Sequence, residues 1–223
     1  MGHRRLHRSL VVAIVALAGW PLGALAAPID RQTFNADMRK LWEDHITWTR
    51  LYIVDAIGGL PEKAATTQRL LQNQVDLGNA IKPFYGDAAG AKLTSLLRDH
   101  ILIAAELIDA AKAGDSAKQA SATRRWSANA DDIAGFLSGA NPQHWPADAT
   151  KKMMHDHLEA TKQEVVAHLQ KDWAADIAAY DRVHVQILSM ADMLSSGIEA
   201  QFPNQFKACG RSRRLGEPLQ RRP

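Results

Sequence analysis

One dipeptide, repeated at nearly equal intervals, limits what this chain can become. Asp44-His45, Asp99-His100 and Asp156-His157 stand 55 and 57 residues apart, each just after two large apolar residues: Leu41 and Trp42, Leu96 and Leu97, Met153 and Met154. A second set keeps the same step. Arg69 with Asn73, Arg125 with Asn129, and Arg182 with Gln186 follow the three histidines, the arginines by 24, 25 and 25 residues. Self-similarity at such a period marks one supersecondary unit copied along the chain, and the apolar spacing makes that unit a helical hairpin.

The spacing predicts six helices in three antiparallel αα-hairpins, an all-α helical bundle. The first covers residues 34–57, where Met38, Leu41, Trp42, His45, Trp48, Thr49 and Tyr52 recur at steps of three and four before Gly58-Gly59 stops it. Pro61 opens the second, through Ile81, and Lys82-Pro83-Phe84-Tyr85-Gly86 reads as a turn. The third runs from Asp87 to Ala113, with Gly114 as its cap, and the fourth starts at Asp115 or Ser116 and ends near Leu137. Residues 138–146, rich in Gly, Asn and Pro, form the longest break. Helices over 147–170 and 173–202 follow, parted near Lys171-Asp172 only because the repeat requires a turn there. No run alternates in the manner of a strand.

The two ends read differently from the body. Residues 1–26 carry Arg4, Arg5 and Arg8, an apolar stretch from Leu10, and the small-x-small sequence Ala24-Leu25-Ala26, the pattern of a cleaved export signal that would deliver the protein to the periplasm or outside the cell. Residues 27–202 then make the helical domain, with no further segment able to span a membrane. Residues 203–223 are rich in Gly, Pro, Arg and Gln and read as a disordered basic tail. The formal charge of +3 comes from these ends, since the signal arginines and Lys207, Arg211, Arg213, Arg214, Arg221 and Arg222 leave the body mildly acidic. A nucleic-acid surface needs a concentrated basic face, which the body lacks. Cys209 is the single cysteine, so no internal disulfide forms.

The repeated residues carry the candidate chemistry. Helical spacing puts His45, His100 and His157 on apolar stripes, so all three point into the bundle. Each preceding aspartate lies roughly 100° round the helix, at the border of that stripe. Three neutral imidazoles backed by Asp44, Asp99 and Asp156 make a candidate site for a divalent transition metal, with His155 as a further ligand. Alternatively Arg69, Arg125 and Arg182, with Asn73, Asn129 and Gln186, close a polar pocket around a small organic or anionic ligand. The plainer reading makes the same residues buried clasps, one per hairpin, that fix register in a structural or protein-interaction bundle. No catalytic residue is assigned. An Asp and a His side by side on one helix diverge, and no serine or cysteine nucleophile is marked by its surroundings. Glycine-rich phosphate loops, Glu-x-x-His pairs and His-Glu-x-x-His are absent from the sequence.

The strings Leu41-Trp42-Glu43-Asp44-His45-Ile46-Thr47-Trp48-Thr49-Arg50, Leu70-Leu71-Gln72-Asn73-Gln74-Val75-Asp76-Leu77-Gly78-Asn79-Ala80 and Trp126-Ser127-Ala128-Asn129-Ala130-Asp131-Asp132-Ile133-Ala134 resemble those of a family of uncharacterised bacterial helical proteins. The resemblance runs from about Leu41 to Phe202. It implies an all-helical fold and brings no established activity. Some members carry transferase or kinase labels, which would make a transferase-type enzyme a third reading, but no nucleotide loop or strand-and-helix alternation accompanies it here.

Overall fold

The computed structural model describes residues 27–207, so the signal expected over 1–26 and most of the tail, Cys209 included, lie outside the described residues. Five α-helices fill the span: α1 (Arg31–Gly58), α2 (Lys63–Ala113), α3 (Ser116–Ala140), α4 (Ala147–Leu169) and α5 (Trp173–Gln201), followed by a 3-10 turn at Pro203–Gln205. Helix makes up 88% of the described residues and none forms a strand, so the all-α expectation holds.

Six expected helices become five at one place. The turn foreseen over 82–86 contracts to Gly86, whose φ of 85° and ψ of 169° interrupt an otherwise continuous α2, with Pro83 still inside the helix. A backbone at that φ suits glycine and strains other residues. The chain nevertheless turns back there. A Cβ built on Gly78 would lie 2.6 Å from the Gly90 carbonyl oxygen, and one on Gly90 equally near the Gly78 oxygen, whereas in a straight helix the two would stand about 18 Å apart. Helices α4 and α5 are separate, and Lys171 takes a left-handed φ of 60° between them.

Local chemistry sets the other ends. Asp30, Asp115 and Asp172 cap α1, α3 and α5 by accepting from the N–H groups of Thr33, Lys118 and Ala175 at 3.0 to 3.1 Å. Gly59 and Gly114 end α1 and α2 in the left-handed region, at φ 68° and 69°.

The helices pack in chain order, α1 on α2, α2 on α3, α3 on α4 and α4 on α5, and α5 returns to α1, which closes the bundle. Its core has two parts. The larger gathers Met38, Trp42, Ile46, Leu97, Trp126, Met154 and Ile187, and the smaller gathers Tyr52, Ile53, Leu70, Ile101, Ile108 and Val165. On α1 and α2 the buried histidine sits beside both clusters, His45 between Trp42 and Tyr52 and His100 between Leu97 and Ile101.

The expected start of the tail at Pro203 moves outward. Phe206 is 4% exposed, its ring lies 5.2 Å from Phe34 and 5.6 Å from Phe84, and the chain beside it pairs with Ile29. Composition pointed to solvent there, but one aromatic side chain buries enough area to hold the segment down. No helix among the described residues is long and apolar enough to cross a membrane.

Candidate functional site

The three histidines come from α1, α2 and α4 and meet at one place. The His45 and His157 rings are 5.9 Å apart between centroids, and His100 and His157 are 6.3 Å apart, nearly stacked. All three are buried. They line one end of a cavity of about 80 Å³ that continues between α2, α3 and α4, past Ile101, Ala104, Leu107 and Val165, to Gln119 and Lys162.

Each ring is held by an amide from the neighbouring helix. Asn129 donates from Nδ2 to the Leu96 carbonyl at 3.0 Å, which turns its Oδ1 toward His100 Nδ1 at 2.9 Å. Gln186 repeats this, donating to the Met153 carbonyl at 3.2 Å and presenting Oε1 to His157 Nδ1 at 3.0 Å. An oxygen at that position requires the proton on Nδ1, so the Nε2 atoms of His100 and His157 are bare acceptors. The first copy splits the task between two residues. Asn73 donates to the Leu41 carbonyl at 2.9 Å, and Gln74 brings its NH₂ to His45 Nδ1 at 3.3 Å. That NH₂ also faces the Leu70 carbonyl at 2.8 Å and Asn73 Oδ1 at 3.1 Å, so reversing the amide would forfeit both contacts. Three acceptors thus compete for the two hydrogens of that NH₂, His45 Nδ1 being the farthest, and the buried Gln74 Oε1 has no partner.

Burial keeps the trio uncharged. Desolvation pushes His100 down to about 3 and His157 to about 4, and drives His45 well below the ordinary imidazole value, with the other two rings adding to the effect on His45. The end of the cavity thus presents the bare Nε2 atoms of His100 and His157. Trp126 packs beside this end. Its ring centroid is 5.2 Å from that of His100, it lines the cavity, and its buried indole N–H has no partner.

The charged residues of the repeat lie elsewhere. Arg69 stacks on Trp48 at 5.0 Å and comes within 3.7 Å of Asp44, which is bound more closely by Lys40. Arg125 pairs with Glu106, Arg182 donates to Gln163, and both are exposed. Asp99 is exposed, and Asp156 pairs with Lys152. A pocket shared by the three arginines is therefore corrected: each is engaged by its own local partner, Arg69 by Trp48 and Asp44, Arg125 by Glu106 and Arg182 by Gln163, and none lines the cavity. The carboxylates do not stand behind the imidazoles either. His155 is bound to Asp131 on the surface between α3 and α4. Among the described residues, no three side chains of His, Cys, Asp or Glu are placed to hold one metal ion.

Two features escaped the sequence reading. Gln74 stands 29 residues after its histidine, the same interval as Asn129 and Gln186, and that number was available as a signal. The second is a buried charge cluster. Arg50 of α1 forms a two-pronged pair with Asp176 of α5 and donates to Glu164 of α4 at 2.9 Å, while His168 Nδ1 meets Asp176 at 2.8 Å. Burial raises Glu164 to about 7, with Arg50 pulling the other way. At Asp176, burial acts upward, but Arg50 and His168 outweigh it and leave the carboxyl below its usual range. Arg50 lies more than a hundred residues from both of its carboxylate partners in sequence, and no motif links them.

A closed all-α bundle with an imidazole-headed cavity is the class that fold and site define. Comparison with known proteins goes no further: no family model, no curated protein and no solved structure matches this chain.

Proposed function

We propose that the protein is an exported, non-enzymatic binding protein that holds a small molecule in the cavity headed by His45, His100 and His157. It is built as three copies of one helical hairpin. The observation that carries this reading is the convergence of three neutral rings from three segments on one otherwise apolar cavity. A clasp needs only the bond from each ring to its amide, and nothing in that role calls for bare nitrogens around open space. The repeated contact from Asn73, Asn129 and Gln186 to the carbonyl four residues before each histidine supports the three-copy origin. Export rests on the sequence of residues 1–26 alone.

A ligand that binds only the folded protein raises its melting temperature. The mature protein is heated with n-pentanol, 1-chloropentane, pentanoate or pentylammonium, whose five-carbon chains suit the cavity. At least one raises the midpoint, and Ala104→Phe, which fills the space beside His100, removes the rise while the protein still melts cooperatively. No rise with any probe, or an equal rise in the filled variant, refutes the binding reading.

A further inference from the structure

The inner end of the cavity constrains what enters it. A guest that is apolar at both ends would leave the Trp126 N–H and two imidazole nitrogens unmet, and an unmet buried donor or acceptor is costly. An anion fares worse. No guanidinium lines this space, since Arg69 is held by Trp48 and Asp44, Arg125 by Glu106 and Arg182 by Gln163, and the one cation among the described lining residues is the exposed Lys162. A cation fares no better, because the described carboxylates do not line the cavity. An uncharged group that both donates and accepts has a partner for each role: its hydrogen meets a bare Nε2 of His100 or His157, and its oxygen meets the N–H of Trp126.

We infer that the cavity selects uncharged hydroxyl- or amide-ended molecules with a short apolar body, seated polar end first against His100, His157 and Trp126. This deepens the proposed function and rests on it. The chain fills the apolar passage beside Ala104 and Val165, and its far end lies toward Gln119 and Lys162. A cavity of about 80 Å³ is roughly half the volume of the engineered cavity that takes up benzene, so a short chain fits better than a ring system.

The four five-carbon probes separate the alternatives. The full mature protein is titrated with each, and affinities are taken from the melting shift and from the indole N–H resonances in ¹⁵N spectra. n-Pentanol binds about tenfold more tightly than 1-chloropentane, as two hydrogen bonds of ordinary net strength require. Pentanoate and pentylammonium bind more weakly than either. The Trp126 N–H resonance moves downfield with n-pentanol alone, and Trp126→Phe, which keeps the ring and removes the donor, brings n-pentanol to the level of 1-chloropentane. Equal binding of n-pentanol and 1-chloropentane overturns the selectivity while leaving the binding reading intact. Tightest binding by pentanoate overturns it in the opposite sense, since the polar end would then sit at Lys162. No binding by any probe removes both.

Discussion

Asn129 does two things with one amide. Its NH₂ holds the Leu96 carbonyl and its oxygen fixes the proton of His100 on Nδ1, which decides what the other side of the ring offers. Asn129→Ala leaves a buried imidazole N–H without an acceptor and lowers the unfolding free energy by roughly 1–3 kcal/mol, measured by urea denaturation. Arg125→Ala, four residues earlier in the same repeated set but exposed and paired with Glu106, leaves the midpoint close to wild type. The sequence marked both residues equally, because a repeat reports that a position was copied and not which way its side chain points. The histidines were legible because they lie on apolar stripes. Gln74 was not, because the first copy divides between adjacent residues a task that Asn129 and Gln186 perform alone.

Between elements, close approach and charge do the work. Helices α1 and α5, the first and last, are joined along an antiparallel seam by Arg31 and Asn35 with Glu199, Arg39 with Asp192, Glu43 with His184, and Arg50 with Asp176. Most of these pairs are at the surface and weak. Arg50 is different, since its partners Asp176 and Glu164 are 2% and 1% exposed, and removing it strands carboxylates in the core. Arg50→Ala costs roughly 2–4 kcal/mol in denaturant unfolding, and no sequence periodicity announces that cost because its partners lie on other helices. The two arms of α2 meet through glycine. A methyl at Gly78 would collide with the Gly90 carbonyl oxygen and the Thr94 side chain, whereas one at Gly135 in α3 meets nothing within 4 Å. Opposite signs follow from one substitution: Gly78→Ala lowers the melting temperature, and Gly135→Ala raises it, by about 0.5–1 kcal/mol of helix propensity. A shared sign would mean that the arms are not packed as described.

For the molecule as a whole, the buried imidazoles and the Glu164 cluster act on stability in opposite directions as pH changes. The buried rings have folded values near 3 and 4 at His100 and His157, below the unfolded 6.5, so the unfolded chain binds their protons first as pH falls. The stability that these rings contribute is complete above about pH 6.5 and is lost as pH drops toward 4. Glu164 has a folded value of about 7, above its unfolded 4.5, so its contribution is complete below pH 4.5 and is lost as pH rises through 7. His45 is depressed with the other two rings, so three groups oppose one and the unfolding free energy climbs from pH 4 to 6.5, then flattens or dips slightly toward pH 8. Urea denaturation at half-unit steps tests this with two variants. His100→Gln reduces the climb between pH 4 and 6.5, and Glu164→Gln steepens it and abolishes the dip. A wild-type profile that falls over the acid range would place the protons on the rings in the folded state, and charged rings could not present the bare nitrogens on which a neutral hydroxyl guest depends.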